Sequence, residues 1–137
     1  MRVLGLDLGN RTLGVAISDP EGFLARPLET YRFEDKAFDQ ALAYTVQLIK
    51  EKKVEKVVLG FPKNMDGSMG EQAQLTLDFK EKLEKLVEVE VLLFDERLSS
   101  KMASNMMISQ KLSRKKRKGS IDNMAATVIL QGYLDRN

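Results

Sequence analysis

Leu4-Gly5-Leu6-Asp7-Leu8-Gly9-Asn10-Arg11-Thr12-Leu13-Gly14-Val15-Ala16-Ile17-Ser18-Asp19 reads as two apolar runs joined by a Gly-punctuated turn, with one carboxylate set inside the first run. Val3 to Leu8 is apolar at nearly every position, the pattern of a buried strand. Gly9 to Thr12 forms a turn, and Leu13 to Ser18 returns as a second strand, so the pair is a hairpin. Asp7 lies between Leu6 and Leu8, where solvation is poor. A carboxylate there is costly unless something positive meets it. A metal ion or a bound phosphate would do so, and a bond to the hairpin turn is the plain structural alternative.

Working outward, Pro20 and Gly22 punctuate the next turn, and Pro27 to Phe33 reads as a third strand at a sheet edge. Asp35 is the expected N-cap of a helix carrying Phe38, Ala41, Leu42, Thr45, Leu48 and Ile49 at helical spacing. Lys56 to Gly60 is a short apolar strand, and Phe61 to Gly70 is a loop. A second helix follows, with Leu75, Phe79, Leu83 and Leu86 on one face, and then a strand from Val89 to Phe94. Ser99 or Ser100 caps a third helix rich in Met102, Met106 and Met107. That Met-rich stretch suits core or helix contacts, with a dimer surface as the alternative. After the basic run and Gly119, Ser120 is expected to cap a last helix through about Leu134. The order β-β-β-α-β-α-β-α-α predicts an α/β fold: a mixed five-stranded sheet flanked by helices, with the first strand central. The length suits one domain over residues 1–137.

Composition narrows the chemistry. There is no Cys and no His, which removes disulfides, thiolate and imidazole ligands, and Ser-His triads. A metal held by this chain must be held by oxygen, which points to a hard ion such as Mg²⁺ or Mn²⁺. No apolar run approaches membrane-spanning length and the N-terminus enters a strand pattern directly, so a cytoplasmic protein with no membrane partner is expected. The net charge of +2 hides a concentration of positive charge. Arg114, Lys115, Lys116, Arg117 and Lys118 carry +5 and leave the remainder at −3. Such a run steers polyanions, although a solvated loop would look the same.

Three acids stand where chemistry is expected. Asp7 is near the carboxyl end of the first strand, Glu96 is just past the last strand, and Asp122 is in the expected first turn of the last helix. Ligands of open α/β sheets bind beyond the carboxyl ends of the strands. Carboxylates gathered there repel one another unless cations sit between them, the arrangement two-metal phosphoryl chemistry uses. Taken singly, Asp95-Glu96-Arg97 suits a surface ion pair and Asp122 suits a helix cap.

Four blocks together resemble the YqgF family, also called RuvX, of small ribonuclease H-like proteins. They are Gly5 to Gly9 with Gly14 to Asp19, Val58 to Pro62 with Asn64 to Ser68, Asp95 to Ser99, and Lys118 to Asp122 with Ala125, Ala126 and Ile129 to Gln131. The resemblance implies a ribonuclease H-like fold and a metal-dependent nuclease hydrolysing phosphodiester bonds. It also implies kinship with the Holliday junction resolvase RuvC and a part in 5′-end processing of pre-16S rRNA. Carried over by position, the catalytic and metal-holding set falls on Asp7, Glu96 and Asp122, holding two Mg²⁺ or Mn²⁺ ions. Adjacent strand residues face opposite ways, so Asp95 is the alternative to Glu96. Arg11, Lys63, Asn64, Arg97 and the run Arg114, Lys115, Lys116, Arg117 and Lys118 are the expected nucleic-acid contacts.

One departure stands out. Resolvases of this fold carry a carboxylate at the end of the strand after the first helix, and here that strand ends Leu59-Gly60-Phe61. Glu96 must then substitute from one strand further out, about 9.6 Å from the central strand at about 4.8 Å per spacing. The preference for precursor RNA over structured DNA comes from the family alone, and monomer and homodimer both stay open. The competing readings are a DNA junction resolvase, a nucleic-acid-binding module without catalysis, and an ATP-binding hairpin of the actin and sugar-kinase type. That last would need a second domain.

Overall fold

A computed structural model describes residues 1–62, 66–96 and 114–136, without the side chains of 114–123. The elements are β1 (Val3–Leu8), β2 (Thr12–Ser18), β3 (Ala25–Arg32), α1 (Phe38–Glu51), β4 (Lys56–Phe61), α2 (Glu71–Leu86), β5 (Glu90–Asp95) and α3 (Arg114–Arg136). The Met-rich third helix expected from the sequence lies outside the described residues. The five strands form one sheet in the order β3-β2-β1-β4-β5. β1 is central, antiparallel to β2 and parallel to β4, and β5 continues in parallel beside β4. The carboxyl ends of β1, β4 and β5 therefore share one edge of the sheet. No helix among the described residues is long and apolar enough to cross a membrane.

Strand alternation sorts the residues onto two faces. Leu4, Leu6, Leu8, Leu13, Val15, Ile17, Val57 and Leu59 form one face, packed against Ala41, Leu42, Leu48 and Ile49 of α1 and Phe79 and Leu83 of α2. The other face carries Val3, Ala16, Val58 and Phe94 and receives Ala126, Ile129 and Leu130 of α3. Gly5, register partner of Ala16, belongs to this second face. A Cβ on Gly5 would stand 2.7 Å from Leu130 Cβ and 3.1 Å from the Ala126 carbonyl oxygen. The absent side chain lets the helix seat directly on the central strand.

Several expectations need correction. α1 begins after Ala37, with no side-chain cap, so Asp35 is not its N-cap. Residues 34–37 instead form a turn tied to the β1–β2 turn by the Lys36 N–H donating to the Asn10 carbonyl at 2.7 Å. Lys36 takes a left-handed φ of 58° there, and the Asp35 carboxylate meets Arg11. The third strand starts at Ala25 rather than Pro27, because the Asp19 carboxylate accepts the N–H groups of Phe23 and Leu24 and closes the preceding turn early. The buried face of α2 is Ala73, Thr76, Phe79 and Leu83, while Leu86 is 56% exposed. Phe79 and Leu83 are buried as expected, and the small Ala73 and Thr76 complete the face in place of Leu75 and Leu86.

The last helix is corrected most. α3 is already formed at Arg114, so Ser120 caps nothing and Asp122 lies in the interior of the helix rather than its first turn. Lys and Arg are good helix formers, and the single Gly119 costs only about 1 kcal/mol.

Candidate active site

The carboxyl edge of the sheet brings two acids together. Asp7 is the penultimate residue of β1, opposite Gly14, and is half-buried. Glu96 follows directly on β5, also half-buried. Its side chain crosses the end of β4 and hydrogen-bonds to Asp7. The crossing passes over Gly60, where a Cβ would stand 3.0 Å from Glu96 Oε1 and 3.2 Å from its Cδ. The strand spacing that separates the two acids is thus spanned by two side chains reaching toward each other over a residue that has none.

The choice between the two neighbouring acids follows from register. Asp95 pairs with Phe61, and Phe94 pairs with Gly60. Phe94 packs on the α3 face, so alternation puts Asp95 on the opposite face and the next residue back on the α3 side. Glu96, not Asp95, meets Asp7, and Asp95 acts on it only through its charge.

The electrostatics are those of an acid pair drawn from water. Burial is the largest influence on Glu96, followed by the negative charge of Asp7, their hydrogen bond and the charge of Asp95. Together they push the Glu96 carboxyl up to about 8. Burial and the neighbouring negative charge thus favour the protonated form of Glu96 beside Asp7. A cation between the two oxygens would relieve the same crowding of negative charge. The donor set is all oxygen, concentrated and short of positive charge, which fits a hard divalent ion. Among the described residues, no set of three acidic side chains is gathered in this way.

The Asp122 side chain lies outside the description, but its backbone position is set by α3. Lys56 at the start of β4 hydrogen-bonds to the Tyr133 hydroxyl at 3.0 Å, and Ala126 and Leu130 lie over Gly5. The helix therefore runs antiparallel to β1. Two residues along the strand from Gly5 to Asp7 cover about 6.6 Å, and four helical residues from Ala126 back to position 122 cover about 6 Å. The residues that precede Ala126 on α3 therefore lead toward the carboxyl end of β1.

The expected nucleic-acid contacts are more scattered. Arg11 sits in the β1–β2 turn at the same edge, 75% exposed, with its Nε 3.5 Å from Asp35 Oδ1. Lys63, Asn64 and Arg97 lie outside the described residues. Arg114, Lys115, Lys116, Arg117 and Lys118 open α3, with their side chains outside the description. Sequence reasoning missed Gly60, which it registered only as an absent acid. It also missed Gln72, whose Nε2 donates to the Leu8 carbonyl at 3.0 Å and ties the first turn of α2 to the end of β1.

Comparison with known proteins follows the same lines. A family model described as "RuvX: Holliday junction resolvase" matches residues 1–136. A Bacillus licheniformis protein named "Putative pre-16S rRNA nuclease" is 50% identical over 135 residues, covering 98% of this chain and 97% of the relative. A Bacillus subtilis protein of the same name is 48% identical over 135 residues, covering 98% of each. Among solved structures, fowlpox virus resolvase with Holliday junction DNA aligns at a TM-score of 0.62 and 10% identity, over 99% of this chain and 98% of that one. Thermus thermophilus RuvC in complex with a Holliday junction substrate aligns at 0.59 and 15% identity, over 99% of this chain and 95% of that one. At these identities the two structures speak to the fold alone, which is the ribonuclease H-like one.

Proposed function

The chain belongs to the RuvX family, and we propose that it is a divalent-cation-dependent nuclease whose catalytic set is Asp7, Glu96 and Asp122. The observation that carries this reading is the meeting of Glu96 and Asp7 across two strand spacings, on the face that α3 covers. Two acids drawn together at a half-buried strand end make a place ready to receive positive charge. Asp7, Glu96 and Asp122 would hold Mg²⁺ or Mn²⁺, and such ions activate water and stabilise the leaving oxygen in phosphodiester hydrolysis.

The residues themselves do the positioning. β1 fixes Asp7 between two buried leucines, so its carboxylate cannot wander. Glu96 would hold the cation as a carboxylate, beside Asp7. Arg11 on the rim, together with the cations opening α3, would hold phosphates of the substrate that do not react. The relatives' names favour pre-16S rRNA as substrate, and with the 5′-end processing that the family resemblance implies this would be a cytoplasmic enzyme of ribosome assembly. The family description favours a four-way DNA junction instead.

One experiment separates these outcomes. The purified protein is offered labelled pre-16S rRNA and a four-way DNA junction, each with Mn²⁺, with EDTA and with the Asp7→Asn variant. Metal-dependent cleavage of the rRNA, lost in the variant, supports the reading. Junction cleavage alone moves the substrate to DNA. Cleavage that survives EDTA or Asp7→Asn overturns it.

A further inference from the structure

β4 ends at the carboxyl edge with no acid, and what it offers instead is space. A methyl group at Gly60 would stand 2.6 Å from Ile129 Cδ1, 3.0 Å from Glu96 Oε1 and 3.2 Å from Glu96 Cδ. Two neighbours therefore use the missing side chain. Ile129, fully buried on α3, fills it from above as core packing. The Glu96 carboxylate passes beside it on the way to Asp7.

We propose that Gly60 is a positioning residue: by presenting no Cβ at the end of β4, it keeps open the lane through which Glu96 reaches Asp7 from β5. The inference rests on the reading of Glu96 as a metal-holding residue and assigns the reason that an outlying strand can supply it. Any side chain at position 60 on this face projects into the line between the two acids, because Gly60 shares the orientation of Val58 and Phe94 on the α3 side. Glu96 would then have to detour around a Cβ placed 3.0 Å from its Oε1 and 3.2 Å from its Cδ. The glycine's φ is not in the left-handed region, so the substitution acts through occupied space alone.

The two neighbours make a test that separates packing from positioning. Gly60→Ala crowds both Ile129 and Glu96, and is expected to lower the metal-free melting temperature by about 5–10 °C. It should also weaken Mn²⁺ binding, read by calorimetry, about 10- to 100-fold. Adding Ile129→Val removes the Cδ1 atom and relieves only the helix contact. The double variant should recover the melting temperature while keeping the weakened Mn²⁺ affinity. Recovery of both in the double variant, or wild-type Mn²⁺ affinity in Gly60→Ala, overturns the proposal. Glu96→Gln in the same series keeps the two levels apart. If it weakens Mn²⁺ binding and Gly60→Ala does not, only the role of Gly60 fails. If Glu96→Gln binds as wild type does, the ligand reading fails and the role of Gly60 with it.

Discussion

The two faces of the sheet are built on opposite principles. The face under α1 and α2 is filled with bulk: Leu4, Leu6, Leu13, Val15, Val57, Leu59, Phe79 and Leu83 are all at most 2% exposed. The face under α3 is thinned at Gly5, Ala16, Gly60, Ala126 and Gly132, so that a helix and two acids can come close. Each fully buried aliphatic or aromatic side chain on the first face contributes roughly 1.5–3 kcal/mol of burial. The second face gives up some of that packing for proximity. Stability and chemistry are thereby assigned to different sides of one layer, and substitutions should divide accordingly.

The largest effect belongs to Asp7. Asp7→Asn should slow cleavage by at least about a thousandfold, the equivalent of about 4 kcal/mol. Its metal-free melting temperature should stay close to that of wild type, since an amide at position 7 has the same shape and still offers an oxygen to accept from Glu96. A variant that unfolds instead would show that Asp7 belongs to the stabilising face after all. The mirror experiment is Phe79→Ala. Unfolding by urea should show a loss of about 3–5 kcal/mol, while Mn²⁺ affinity measured well below the melting point stays unchanged. A large change in affinity would break the division between the faces.

Reach is tested next. Glu96→Asp keeps the charge and shortens the arm by one methylene, so calorimetry should find Mn²⁺ binding weakened about 10- to 100-fold. Full affinity in that variant would mean that the crossing of β4 is not at its limit.

A smaller effect is the pH dependence of stability. Glu96 is raised from 4.5 to about 8 in the folded chain. Between those values the folded state holds a proton that the unfolded state releases, so metal-free stability falls as pH rises through that window. Glu96→Gln should flatten this part of the melting-temperature profile, and an unaltered profile would place the titration elsewhere. The smallest effect concerns the basic opening of α3. Replacing Arg114, Lys116 and Arg117 with Gln should reduce the slope of log affinity against log salt by about 2 for single-stranded RNA, at about 0.7 per phosphate contact. No change in slope would leave those cations without phosphate contacts.

Much of this was legible in the chain because it is local. The hairpin, the central strand and the face of α1 follow from apolar runs, turn residues and helical spacing, and the observed strand order matches what they imply. Asp7 was conspicuous because an acid between two leucines contradicts its surroundings. What escaped was relational. Gly60 looked like a lost carboxylate, and only the register of β4 against β5 shows it to be the gap that Glu96 crosses. The cap assigned to Asp35 failed because a turn from another part of the chain claimed residues 34–37. The start of α3 was misplaced because a charge run followed by Gly and Ser resembles a loop and a cap, whereas propensity carries the helix through both.

The central proposal is that Asp7 and Glu96 hold a divalent cation in competition with the proton that burial favours on Glu96. Calorimetric titration with Mn²⁺ near pH 7, repeated in buffers of different ionisation enthalpy, measures affinity and proton release together. Wild type should bind with release of about one proton per site, and both Asp7→Asn and Glu96→Gln should lose the binding and the proton with it. Unchanged binding in the two variants, or binding by wild type with no proton released, would contradict the account.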